Sequence, residues 1–218
     1  MDVTTMMDVF VSYGFETDDE MTDDRKIEAL NETYWDVCGR EDWPFLEAYE
    51  NFTIDPTTGA ITLPSGNDLG AVQAIWFSTS GRVLSPKRFD DLNQDSPQWR
   101  ATPGTPVFYY FLADDLFVAP IPTADPGDGY ITYLRVPAEL TSTSVTANIL
   151  LPKRYHRSVL VVGTLAKLAV MQDDVDMGNA YERLYEKAIA LMQDDLFKQQ
   201  TDRPDYIHVN DPDNWDYS

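Results

Sequence analysis

Nucleophilic or acid–base chemistry near neutral pH most often uses an imidazole, a reactive thiol, an activated hydroxyl or a pair of carboxylates. This chain holds two histidines, His156 and His208, and one cysteine, Cys38. A Ser-His-Asp or Cys-His set can be drawn from them on paper, but no G-x-S-x-G elbow accompanies it. His156 stands in KRYH where a helical pattern begins, and reads as a surface histidine in a basic cluster. No Walker loop or G-x-G-x-x-G is present, and Gly104 in TPGTP is a loop glycine. The acidic runs DDVD (173–176) and DPDNWD (211–216) offer carboxylates to a divalent cation. Both lack the central glycine and closing glutamate of a calcium loop and read as solvated turns. Carboxylate pairs for glycoside hydrolysis are so numerous in an acidic, β-rich chain that none stands out. The residues therefore point to no catalytic group, no metal and no cofactor.

Two groups suit binding instead. Lys153, Arg154 and Arg157, with Tyr155 among them, form a tight basic cluster, and Lys87-Arg88 is a smaller one. Three charges are too few to hold DNA phosphates in a chain of net charge -21. They suit an acidic neighbour across a subunit interface. Trp76, Trp99 and Tyr109 make the alternative, an aromatic platform on a β-sandwich that would bind carbohydrate or a receptor. Aromatics at period-2 spacing fill cores more often than they form platforms.

The elements that carry these groups follow from hydrophobic periodicity. A short helix over residues 3–13 has Met6, Val9, Phe10 and Tyr13 inward, Thr4 or Thr5 as cap and Gly14 as stop. After a solvated acidic loop (16–24), a second helix runs from Asp23 to about Cys38. Its stripe is Ile27, Leu30, Tyr34, Trp35 and Cys38, and Gly39 ends it. Trp43, Phe45 and Leu46 cover that helix end as core. From Phe52 the period becomes 2. Segments 51–55 and 59–63 flank a glycine-containing loop, a longer strand covers 71–79, and 86–93 is a short helix opened by Pro86. Segments 107–112 and 116–122 pair over Asp114-Asp115, and 130–137 is a last strand, so about six antiparallel strands lie between two helical regions. A helical hairpin closes the pattern. Val159 to Met171 is apolar almost all round, and the stretch to Gln199 is amphipathic through Tyr181, Leu184, Tyr185, Ala188, Ile189, Met192 and Leu196.

The expected fold is α+β. Residues 1–50 and 152–203 form one helical bundle, 51–151 is an inserted antiparallel β domain, and 204–218 is an extended acidic arm. Hydrophobic content of 43% across 218 residues supports a sizeable core. The charge is uneven. Residues 1–50 carry 15 acidic and 3 basic side chains, whereas residues 152–187 carry 5 and 6. So acidic a chain suits a surface that repels DNA, a solubility device or adaptation to high salt. The near-neutral hairpin suits protein-facing surfaces. The lone Cys38 makes no internal disulfide, the first residues lack the pattern of a signal peptide, and the longest apolar run is too short to span a bilayer. These features lead to the expectation of a soluble chain made in the cytoplasm.

The order of segments carries a resemblance. ALNETYWDVCGREDWPFLE is followed by ITLPSGNDLGAVQAIWF, PGTPVFYYFLADDLFVAPIP and YITYLRVPAEL. ILLPKRYHRSVLVVGTLAKLAVMQDDVDMGNAYERLYEKAIALM closes it. The succession resembles the head-to-tail adaptor (connector) proteins of tailed bacteriophages, over about residues 1–200. The resemblance implies a structural, non-enzymatic virion protein at the neck, made in the host cytoplasm. It implies a homo-oligomeric ring, commonly of twelve, that docks under the portal protein. Such a ring extends the channel through which double-stranded DNA passes without specific binding, and offers a platform to tail proteins. Terminal arms of such subunits reach along the portal. That makes Tyr206, Ile207, Trp215 and Tyr217 of the tail candidate partner-binding residues, beside Lys153, Arg154, Tyr155 and Arg157.

Leu165 is central to the apolar half of the hairpin, so Leu165→Asp, which buries an unpaired charge, is expected to unfold the helical bundle. A soluble variant with a cooperative thermal melt near the wild-type Tm would remove Leu165 from the core.

Overall fold

The structure, a computed structural model, describes residues 1–18, 21–63, 69–77, 81–95, 97–113, 115–122 and 129–201. Among the described residues, five helices and an antiparallel sheet make the fold α+β, as the sequence pattern predicts. The chain divides into two compact units, Met1–Pro44 with Glu139–Ser218, and Phe45–Ala138.

The first unit is helical. Helix α1 (Val3–Ser12) is capped by Asp2, whose Oδ1 accepts from the Thr5 amide at 2.8 Å, not by Thr4 or Thr5. Gly14 then turns the chain at φ +96°, a conformation that costs glycine little. Helix α2 (Asp23–Arg40) starts on Thr22, with Asp23 and Asp24 in its positive first turn and Arg40 in its negative last turn. It runs through Gly39 instead of ending there. Its buried face is Ala29, Leu30, Thr33, Tyr34, Val37 and Cys38, one position round from the sequence expectation, so Trp35 is left 45% exposed. Trp43 is fully buried, its indole N–H donating to the Val37 carbonyl and its ring stacked on Phe197 at 5.9 Å.

The returning chain is fastened to α2. The Asn31 side chain donates to the Leu140 carbonyl at 2.9 Å and accepts from the Leu140 amide at 2.7 Å, both bonds buried. Three residues on, the Tyr34 hydroxyl accepts from the Leu150 amide at 2.8 Å. Pro152 opens a 3-10 turn (Lys153–Tyr155), then a widened π turn (His156–Val161), then helix α4 (Val162–Met171). Helix α4 packs against both α2 and α5 (Val175–Thr201). Gly163 makes this possible: a Cβ there would lie 2.6 Å from Thr33 Cγ2 and 2.7 Å from the Tyr185 ring. Tyr185, Ile189, Met192 and Leu196 form the buried face of α5, whereas Leu184 points outward.

The second unit is built of strands. Strand β1 (Glu47–Ile54) begins four residues earlier than expected and turns through Asp55–Ala60 into β2 (Ile61–Thr62). Strands β3 (Leu69–Phe77), β4 (Arg82–Val83) and β8 (Gly129–Arg135) complete a five-stranded sheet, order β2-β1-β8-β3-β4. The first and last strands of the unit pair directly, from Glu47↔Leu134 to Phe52↔Gly129. A second sheet, order β5-β6-β7, holds β5 (Ser85–Pro86), β6 (Phe108–Leu112) and β7 (Asp115–Ala119). Its β5–β6 pair is parallel, against the all-antiparallel expectation. Pro86 lies in that pair, and helix α3 starts later, over Phe89–Asp95. Side chains from both sheets share one core, among them Phe52, Ile75, Phe77, Leu116, Val118, Ile131 and Tyr133.

Asn31→Leu keeps the volume but strands both Leu140 backbone groups, at about 1–3 kcal/mol for each buried unsatisfied group. The expected loss is about 2–4 kcal/mol in urea unfolding of the helical unit. A loss under about 0.5 kcal/mol would show that the clamp does not hold the crossover.

Candidate interaction surfaces

The basic cluster of the 3-10 and π turns is split by the structure. Arg154 forms an ion pair with Asp195 of α5 at 3.0 Å and lies over the Tyr155 ring at 4.8 Å. The Tyr155 hydroxyl donates to the same Asp195 carboxylate. Both residues thus bind the turn to α5, inside one subunit. Lys153 and Arg157 are exposed and, among the described residues, make no ion pair. Tyr206, Ile207, Trp215 and Tyr217, with the rest of the tail 204–218, lie outside the described residues.

His156 is not the surface residue that its basic neighbours suggest. It is buried, with Nε2 2.7 Å from the Leu151 carbonyl and Nδ1 3.1 Å from the Met1 nitrogen and 3.0 Å from the Met1 carbonyl. Burial holds its pKa below the ordinary histidine value. The neutral ring donates through Nε2 and joins the Leu151 turn to the start of α1. Cys38 is likewise a packing residue, its thiol pushed up to about 12 by burial.

Two polar features escaped the sequence reading. Lys26 is fully buried in side chain, its Nζ donating to Thr17 Oγ1 at 2.8 Å and 3.5 Å from Asp23. The acidic loop before α2 is therefore tied down at Thr17. Arg40 lies 2.8 Å from both Asp36 and Glu186, and the Tyr185 hydroxyl donates to Asp36 at 2.6 Å. No spacing rule links Asp36 to Tyr185, since the pair spans 149 residues.

On the β unit the alternative platform dissolves, because Trp99 and Tyr109 are buried. Trp99 packs with Leu92, Tyr110 and Phe89 in a satellite core covered by Arg100. Trp76 instead belongs to a row across the outer face of the larger sheet. It stacks on Tyr130 at 5.8 Å, and Tyr130 meets Tyr49 at 5.3 Å. Among the described residues no group of three or more His, Cys, Asp or Glu is placed to hold a metal ion. In DDVD, Asp174 accepts from the Met177 amide at 2.9 Å and so caps α5.

A search of curated proteins finds no match. The model of a protein family, described as SU10 adaptor protein, matches residues 1–209. The chain belongs to this phage adaptor family. The match spans both units, so the inserted β unit is part of the family pattern. Family membership makes the chain a structural adaptor of the phage virion. No helix among the described residues is long and apolar enough to cross a membrane.

The adaptor's Asp36 supplies a pH test. Burial opposes its charged form, but hydrogen bonds from Tyr185 and Arg40 overcome this and hold its pKa below the ordinary carboxylate value. Its contribution is therefore complete above that ordinary value and is lost as pH falls through the lowered folded value. Asp36→Asn keeps an acceptor for Tyr185 but removes the charge. Because the site is partly exposed and screened, the expected loss is about 0.5–1 kcal/mol at pH 7. Urea titrations from pH 2 to 7 should show a flatter acid limb for the variant, and an unchanged limb would sink the assignment.

Proposed function

We propose that this adaptor assembles, commonly as twelve copies, into a ring that docks under the portal, extends the DNA channel and presents a platform to tail proteins at the virion neck. The observation that carries this reading is the family match over 1–209 on a chain of two units, helical and β. The charge of -21 supports the channel role, since a strongly acidic wall does not hold phosphate and lets double-stranded DNA slide. Lys153 and Arg157, exposed beside a turn anchored to α5, are the proposed portal- or neighbour-facing cations. Arg154 and Tyr155 hold the turn that presents them. The segment 204–218 is the proposed arm along the portal, with Tyr206, Ile207, Trp215 and Tyr217 as its anchors. The carbohydrate-platform reading loses its support with Trp99 and Tyr109 buried.

Deleting 204–218 is expected to leave the thermal melt unchanged and to weaken retention on immobilised portal at least tenfold. Lys153→Glu combined with Arg157→Glu should weaken it independently. Wild-type retention of the truncated chain would remove the arm. Symmetry-resolved electron microscopy of a virion neck should show this chain as the ring below the portal, and finding it elsewhere in the particle would overturn the reading.

A further inference from the structure

Two exposed faces of the helical unit have opposite character. On α5, Leu184 is 55% and Leu191 61% exposed. They are seven residues apart, hence on one line of the helix, about 100° round from the buried Tyr185 and Met192. Lys187 lies between them on the same outward side. The opposite flank of α5 is the one used within the subunit. There Glu186 meets Arg40, Gln193 donates to Glu41 at 3.1 Å and Phe197 stacks on Trp43. The acids near the C-terminal end of the leucine line are already paired, Asp194 with Lys198 at 2.6 Å and Asp195 with Arg154 at 3.0 Å. From Arg183 to Leu191 the outward line is apolar and basic.

On α2 the outward side carries Glu28, Glu32 and Trp35, whose 3.6-residue periodicity puts them opposite Leu30, Tyr34 and Val37. Glu32 is 3.1 Å from Lys167, a pair with both side chains partly exposed. The two faces cannot meet within one chain, because the flanks of α2 and α5 that face each other are occupied by the Asp36–Arg40–Glu186–Tyr185 network.

We propose that the Leu184–Lys187–Leu191 line of α5 in one copy seats on the Glu28–Glu32–Trp35 face of α2 in the next copy. The leucines flank the Trp35 ring, and Lys187 lies among the two glutamates. An exposed tryptophan is a typical energetic centre of an interface, and a lysine beside it adds attraction to both ring and carboxylate. The contact joins two different faces, so it is heterologous. Repeated with a closing rotation, it generates a ring and not a two-fold dimer. This contact presupposes the ring proposed above.

Single-cysteine pairing tests it on the full chain, since buried Cys38 does not compete. Trp35→Cys and Leu191→Cys are both surface changes, and circular dichroism checks that each variant folds. Each variant is oxidised alone, the two are oxidised mixed, and the double variant is oxidised both in solution and in purified virions. Sedimentation velocity and native mass spectrometry report oligomers in parallel. The expected result is disulfide-linked pairs only in the mixture, and a ladder beyond the dimer for the double variant. Lys187→Glu should raise the concentration for half-assembly at least tenfold, and adding Glu28→Lys in the same chain should restore most of it. Linked dimers of either single variant alone would show a two-fold contact and overturn the proposal. Oligomers without any disulfide between positions 35 and 191 would overturn the contact and leave the ring standing. Absence of both oligomer and link, in virions as well, would overturn both.

Discussion

A chain that leaves a helical unit for a hundred residues must re-enter it through irregular backbone, and buried backbone polar groups must find partners there. No strand is available to the segment after Glu139 among the described residues. Asn31 solves this with a side-chain amide, which has the donor and acceptor of a peptide group and satisfies both Leu140 groups at once. Tyr34 adds a second point, its hydroxyl accepting from the Leu150 amide. With the crossover fixed at two points of one helix, the turn before α4 is placed, and α4 can take its central position.

Close packing follows from that placement. Gly163 lets the Tyr185 ring approach the α4 backbone, and the same ring's hydroxyl reaches Asp36. One residue thus contributes apolar burial at its body and a charge-assisted bond at its tip. Arg40 lies 5.2 Å over that ring while pairing Asp36 and Glu186. The network occupies the flank between α2 and α5. It thereby decides which helix faces remain for other molecules.

Element types were largely legible because burial imposes a period. Helices α1, α2, α4 and α5 and the pairing of β1 with β2 or β6 with β7 follow from spacing and turn residues. Faces were less legible. Trp35 and Leu184 obey the i, i+3, i+4 rule yet point outward, because the apolar stripe of a helix is wider than the line of contact it makes. The converse holds for Lys26 and His156, whose types suggest the surface but whose partners lie in other segments. Pro86 lies in a strand and not at a helix start, and residue type does not separate the two, because proline is tolerated in both places, at the first turn of a helix and in a short edge strand. Arg154 and Tyr155 look like free cluster members in sequence, and only the α5 register, which brings Asp195 to them, shows them spoken for.

The direct pairing of β1 with β8 also bears on how this chain reaches its native state. The Asn31–Leu140 bonds bridge 109 residues of chain. Closing so long a loop is slow and entropically costly in an unfolded chain. Once the β unit has formed, the Arg135 amide donates to the Leu46 carbonyl at 2.8 Å and the ends of the insertion are held together. The effective loop then falls to roughly 20 residues, which lowers the closure cost by about 1.5 kcal/mol. The paired first and last strands of the insertion thus lower the entropic cost of joining the two sequence-distant halves of the helical unit.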